Sequence, residues 1–239
     1  MKHAPHPNAA LELPEAESHH LMDVLRAKPG DTFEVVGEDG RVFLAELSES
    51  GEAFVVEEVF YDEGGDYEVV LYQAVPKGKR MDLVVEKASE LGAARIVPLV
   101  TDRSVVKAGE GNKLDRWRRI AESAARQSLR RTVPEVAAPM PFREAISDAE
   151  GAVLLHNGTG IPSLEEVVVS SPSGLFVGPE GGWSDDEMNM AGERGVSLAK
   201  IGAYRLRSET AGIAAVARAG AVLEARGIGE GIETMRRGI

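Results

Sequence analysis

The 239-residue chain contains no cysteine, which excludes disulfides and thiolate zinc sites. Its five histidines, His3, His6, His19, His20 and His156, form neither an HExxH motif nor a facing pair, so no metal site is expected. Basic charge is scarce as well: 27 Lys and Arg stand against 39 Asp and Glu, a net −12 that taken whole argues against a polyanionic partner. No run approaches the roughly 18 apolar residues of a membrane span. The N-terminal stretch "MKHAPHPNAALELPEAE" has no apolar core of signal-peptide length, and the expectation is a cytoplasmic protein with no membrane partner. Neither GxxxxGK[ST] nor GxGxxG occurs, so a P-loop and an ordinary dinucleotide site lose their main support.

What is present is an ordinary globular composition, 43% hydrophobic and 28% charged, sufficient for one or two domains. The charge is unevenly spread. Residues 1–75 carry 4 basic and 17 acidic side chains, 76–131 carry 14 and 7, and 132–239 carry 9 and 15. The middle segment is therefore a candidate RNA surface, with a solvated helical face as the plainer alternative. Up to about residue 75 the pattern is short alternating strands, "TFEVVG", "RVFLAELS", "EAFVVEEVF" and "YEVVLYQAV", which reads as a small, mostly antiparallel barrel. Beyond the linker "DEGGDY" helices alternate with strands "RIVPLV", "GAVLLHN", "GLFVG" and "SLAKIG", which predicts an α/β domain with a parallel sheet.

Ligands of open parallel sheets bind beyond the carboxyl ends of the strands. Three loops there stand out: "LLHNGTG", "VGPEGG" and "IGAYRLRSETAG", where glycines allow close approach of a ligand to the backbone. The plainer reading of any one is a tight strand-to-helix turn. After "VGPEGG", Ser184 and Glu187 have the spacing of a capping box, and Trp183 and Met188 that of a hydrophobic staple. Asp185, Asp186 and Glu187 make this helix start acidic, which opposes a phosphate and favours a phosphate-free cofactor such as S-adenosylmethionine.

The set "HHLMDVLR", "KGKRMDLVVEKASELG", "RQSLRRTVPEV", "FVGPEGGWSDDE" and "IGAYRLRSETA" resembles, in order and spacing, the RsmE family of 16S rRNA methyltransferases. The resemblance implies a PUA-like RNA-binding β-barrel over 1–70, then a SPOUT-type α/β methyltransferase domain with a C-terminal trefoil knot over 71–239. It implies a homodimer that transfers methyl from S-adenosylmethionine to N3 of a uridine in 16S rRNA of the small (30S) subunit. Cofactor contacts carried over by position are Gly178, Pro179, Glu180, Gly181 and Gly182, then Ile201, Gly202, Leu206, Arg207, Ser208 and Thr210, with Leu155 and His156 from the remaining loop. The family's "EQSGR"-like stretch maps onto "RQSLR", so Arg130 matches its arginine while Arg126 and Leu129 replace Glu and Gly. Arg26, Lys79, Arg126, Arg130 and Arg131 are the candidate RNA contacts. Tyr204 stands where relatives often carry arginine, with Arg205 beside it.

Methyl transfer needs chiefly alignment, but the uracil N3 proton must also leave. Arg207 is the candidate to stabilise the developing uracil anion, and Glu209 to position that arginine or take the proton. The plainer role of Glu209 is first-turn helix chemistry behind Ser208 as N-cap, and that of His156 a strand-end histidine without a ligand. The small residues of "SETAGIAAVARAGAVLEARG" suit close packing against a second copy or against the chain's own sheet. Two other classes stay open: a non-catalytic ribosome-assembly factor, and an unrelated small-molecule α/β enzyme.

Overall fold

The computed structural model describes residues 9–226 apart from 12, 38–40, 60–67, 105–111, 131, 149–150 and 169–172. His3, His6, the "DEGGDY" linker and Arg131 lie outside the described residues. The chain divides into two compact units, Met1–Glu63 with Leu129–Thr132, and Gly64–Ser128 with Val133–Ile239.

In the first unit, β1 (Ala10–Leu11), β2 (Thr32–Val36), β3 (Val42–Leu47) and β4 (Ala53–Val59) form one antiparallel sheet in the order β1-β4-β3-β2. Alternation sets its buried face: Phe43 and Ala45 of β3 pack with Ala53 and Val55 of β4 and Leu11 of β1. Helix α1 (Glu15–His19) runs into a π-type turn, His20–Val24. Arg26 then takes a left-handed φ of +53°, and the Ala27 N–H bonds back to Leu21 O at 3.1 Å.

The second unit is built on a seven-stranded sheet: β5 (Val69–Ala74), β6 (Ala93–Val100), β7 (Glu135–Val136), β8 (Met140–Pro141), β9 (Val153–Leu155), β10 (Ser173–Val177) and β11 (Ser197–Ala199). Its order is β11-β9-β10-β5-β6-β7 with β8 also on β6, and each of these pairings is parallel. Between the strands run α2 (Arg80–Glu90), α3 (Lys113–Gln127), α4 (Phe142–Ala145), α5 (Leu164–Val167) and α6 (Asp185–Glu193), and α7 (Ser208–Ala225) follows β11.

Here the structure corrects one expectation. "YEVVLYQAV" is not a strand of the antiparallel unit: β5 lies inside the parallel sheet, between β10 and β6. Its alternation was ambiguous because both of its faces are covered. Val69 and Leu71 enter a core with α2, α3 and α7, whereas Val70 and Tyr72 pack on the opposite core with Phe176, Phe142 and Trp183. The same division runs through β10, where Leu175 and Val177 face the first core and Phe176 the second. Tyr72 stacks on Phe176 with ring centroids 4.3 Å apart.

Because the strands are parallel, the segments after β9, β10 and β11 emerge at one edge of the sheet, as does the segment after β5. The order places β9 between β11 and β10, so the three loops are neighbours. No helix among the described residues is long and apolar enough to cross a membrane.

Candidate functional site

The loop after β10 begins at Gly178, whose lack of a side chain lets Trp183 pack close against the backbone. A methyl there would come within 3.0 Å of Trp183 Cε2. Trp183 is buried against Phe142, and its indole N–H donates to Leu155 O at 3.0 Å, which ties the end of β9 to this loop. The Gly182 N–H closes a tight turn onto Pro179 O at 2.9 Å, with Gly182 at φ +73°. From the segment after β6, Arg103 Nη1 donates to Gly181 O at 3.0 Å.

The capping box is formed in full. Glu187 N–H donates to Ser184 Oγ at 3.2 Å, and Ser184 N–H donates to Glu187 Oε2 at 2.8 Å. The buried Glu187 carboxylate also accepts the Asp102 N–H at 3.0 Å, while the Ser184 hydroxyl donates to Asp102 Oδ2 at 2.5 Å. Trp183 and Met188, the pair with staple spacing, share one apolar cluster. The positive end of α6 is therefore occupied by the chain's own carboxylates.

The loop after β11 is held by Arg218 of α7, which donates to Ile201 O and pairs with Glu165 of α5. Its Gly202 sits at φ +149°, a conformation that L side chains rarely adopt. Arg205 Nη2 donates to Glu180 O at 3.2 Å, so the arginine beside Tyr204 reaches the loop after β10 while Tyr204 itself is 85% exposed. Ser208 Oγ donates to Gly178 O at 2.6 Å, a second tie between these loops. Arg207, not Ser208, occupies the N-cap of α7. Ser208 is instead the first helical residue, and its hydroxyl donates to Gly178 O and accepts from Gln73 Nε2.

Glu209 is 7% exposed in the first turn of α7. Its Oε1 lies 3.5 Å from Arg80 Nε, and its Oε2 is buried with no partner. Arg80 also reaches Glu180 Oε1 at 3.2 Å, which accepts the Lys77 N–H at 3.3 Å too. One arginine at the start of α2 thus bridges carboxylates from both loops. His156 is half-buried: its N–H donates to Ala199 O at 2.9 Å, and its Nδ1 is buried without a partner. Leu206 is half-buried, Pro179 buried, and Arg207 and Thr210 exposed.

Hydrogen bonds thus tie together the loops after β9, β10 and β11, whereas the basic candidates are divided between the two units. Arg26 is exposed in the first unit, which also holds the half-buried Arg130; Lys79 and Arg126 are exposed in the second, and Arg131 is outside the described residues. Arg41 is engaged locally, 3.4 Å from Glu58 and over the Phe43 ring. A shallow hollow on α3, lined by Asn112, Arg116, Arg119, Ile120 and Ser123, includes no residue of the three loops. Among the described residues no group of His, Asp or Glu is placed to hold a metal ion. Sequence reasoning missed Gln73, Arg80 and Arg103; the one signal for Gln73 is a polar residue inside an apolar strand.

Residues 64–220 match the RNA methyltransferase domain family, and 13–59 match the RNA methyltransferase PUA domain. The ribosomal RNA small subunit methyltransferase E of Synechocystis sp. is 35% identical over 226 residues, covering 90% of this chain and 74% of the relative. The Bacillus subtilis protein of that name is 29% identical, covering 82% of this chain and 83% of its own. The crystal structure of the Neisseria gonorrhoeae protein of that name, bound to S-adenosyl methionine, superposes with a TM-score of 0.76 at 30% identity, covering 91% of this chain and 94% of that one. On the extent of these matches, the chain belongs to the RNA methyltransferase family that includes the ribosomal RNA small subunit methyltransferases E.

Proposed function

We propose that this protein transfers a methyl group from S-adenosylmethionine to N3 of a uridine in 16S rRNA. The observation that carries the reading is the cross-tied set of loops at one edge of a parallel sheet, beside a helix start already filled with its own carboxylates. That environment suits a cofactor without phosphate. The residues present fit it: a sharp glycine turn at 178–182, main-chain groups from neighbouring loops, and two buried, unpartnered polar atoms, His156 Nδ1 and Glu209 Oε2. Leu155, His156, 178–182, Ile201, Gly202, Leu206, Arg207, Ser208 and Thr210 would hold it. Bound there, the cofactor supplies a methyl group on a sulfonium centre.

The chain's part is to align the two reactants, which can lower such a barrier by about 7–11 kcal/mol. Arg207, exposed at the N-cap of α7, would face the base, and the buried Glu209 carboxylate beside Arg80 would receive the N3 proton or orient that arginine. The same reading includes a PUA-like barrel over 1–70, a knotted SPOUT-type domain over 71–239, a homodimer, action on the 30S subunit, and a cytoplasmic location. The RNA-binding residues would be Arg26, Lys79, Arg126, Arg130 and Arg131. For the dimer, Ala215 is fully buried in the chain's own core, so a second copy would meet α7 through partly exposed residues such as Ala214.

The test is methylation of 30S subunits and of naked 16S rRNA with labelled S-adenosylmethionine, followed by mass mapping. The expected product is a single N3-methyluridine. Gly181→Val should abolish cofactor binding by filling the space at the glycine turn, with the fold intact because an added Cβ meets Arg103 only at an ordinary contact distance of 3.4 Å. Arg130→Glu should weaken RNA binding and flatten its salt dependence while cofactor binding is retained. A wild-type protein with no measurable affinity for S-adenosylmethionine would overturn the proposal.

A further inference from the structure

Gln73 is a full amide side chain with no exposed surface, in a strand whose neighbours are Val70, Leu71, Tyr72, Ala74 and Val75. Burying an amide is unfavourable unless it is hydrogen-bonded, so its partners indicate its purpose. Gln73 Nε2 donates to Ser208 Oγ at 2.9 Å and to Ala74 O at 3.0 Å. Ser208 Oγ in turn donates to Gly178 O at 2.6 Å. A hydroxyl has a single proton, and here it is committed to Gly178; the Ser208 oxygen can therefore only accept from Gln73. This direction of donation fixes which way the amide is turned. Its nitrogen must face Ser208, and Oε1, left without a partner, is turned to Gly212 of α7. There, a Cβ on residue 212 would lie 2.1 Å from Gln73 Oε1, so only glycine leaves room.

We infer that Gln73 is a positioning residue: through Ser208 it sets the spacing between the loop that opens at Gly178 and the helix that opens at Ser208, and the absence of a side chain at Gly212 leaves room for the amide in that orientation. The inference rests on the reading that these two loops hold S-adenosylmethionine. Gln73 would not touch the cofactor. It would act by fixing where the Gly178 carbonyl and the first turn of α7 stand relative to each other. A carboxylate at position 73 cannot replace it, because an ionised Glu has no proton to give Ser208.

The experiment measures S-adenosylmethionine affinity by calorimetry, and KM and kcat for the cofactor, in Gln73→Ala, Gln73→Glu, Ser208→Ala, Ser208→Thr and Gly212→Ala, with circular dichroism confirming each fold. Wild-type binding tests the underlying reading by itself. Given that binding, Ser208→Ala and both Gln73 variants should weaken affinity about tenfold, comparable with the net worth of one lost hydrogen bond. The loss should appear in KM more than in kcat, and Ser208→Thr, which keeps the hydroxyl, should retain most of the affinity. Gly212→Ala should weaken binding in the wild type but add little in the Gln73→Ala background, where the added methyl meets no amide. A purely structural Gln73 would lower stability and leave cofactor KM unchanged. Unaltered affinity in folded Ser208→Ala, or additive losses for Gly212→Ala and Gln73→Ala, would overturn the inference. Should Gln73→Ala fail to fold, Gln73→Glu and Gly212→Ala decide it, since neither removes a residue proposed to touch the cofactor.

Discussion

Replacing Trp183 with phenylalanine keeps an aromatic ring in the core while deleting the N–H that joins the loop after β10 to the end of β9. Two costs are expected. The first is the Leu155 carbonyl, in a residue only 8% exposed, which loses its indole donor at 3.0 Å; leaving such a group unsatisfied costs about 1–3 kcal/mol. The second is volume. Phenylalanine is smaller by roughly 40 Å³, which at about 24 cal/mol per Å³ of cavity adds about 1 kcal/mol if the surroundings do not close in. They have little freedom to do so, since Trp183 is wedged between Gly178 and Phe142, with its ring centroid 5.0 Å from that of Phe142. The sum is a loss of about 2–4 kcal/mol.

Urea unfolding followed by far-ultraviolet circular dichroism measures this, with an unchanged denaturant slope as the sign that one state is being compared with one state. Gly178→Ala supplies the converse. Its methyl presses on the same ring and should cost about 1–3 kcal/mol alone, but much less in the Trp183→Phe background. A shift worth under about 0.5 kcal/mol for Trp183→Phe would refute the reasoning, because it would mean that the indole N–H does not hold the two loops together.

Two further outcomes follow from local geometry. Leu129 sits just past the end of α3 at φ +55°, a position where glycine is unstrained, so Leu129→Gly should raise the urea midpoint by the equivalent of about 0.5–1 kcal/mol; a lower midpoint would show that Leu129 packing outweighs its strain. Glu165 also gives a pH signature. Burial raises its pKa, but backbone hydrogen bonding and the Arg218 guanidinium outweigh that and hold it below the ordinary 4.5. A carboxylate depressed in the folded state adds stability that is complete above its unfolded value and is lost as pH falls through its folded value. Glu165→Gln should therefore flatten the stability profile below about pH 4.5 and leave an offset above it; parallel profiles for the two proteins would contradict this.

Local signals carry the parts of this fold whose partners are close in sequence. The capping box at Ser184 and Glu187 spans three residues, and the hydrophobic pattern of α2 and α3 repeats within each helix, so both are legible without tertiary information. The strand-end loops are legible for a related reason, since glycine and proline mark the turns that a parallel sheet requires. What the sequence leaves hidden are the ties between loops: Trp183 reaches Leu155 across 28 residues, Arg80 reaches Glu180 across 100, and Gln73 reaches Ser208 across 135. No window of periodicity contains such pairs. The placement of β5 fails for the same reason, because alternation reports that successive side chains face opposite sides, not whether each side meets water or a helix.

Leu129 shows the limit from the other direction. Where the resemblance sets a glycine, this chain has a branched side chain, at a left-handed φ of +55°. The end of α3 therefore keeps the geometry while accepting the strain that glycine would avoid. Arg205 does the equivalent with charge: it donates to Glu180 O and ties the two loops, while its neighbour Tyr204 is exposed. In both places the structure shows the local geometry directly: a left-handed φ at Leu129 and a tie from Arg205 to Glu180 O. Comparison by residue type alone would count these positions as departures, whereas the φ angle and the hydrogen bond identify what the fold requires of them.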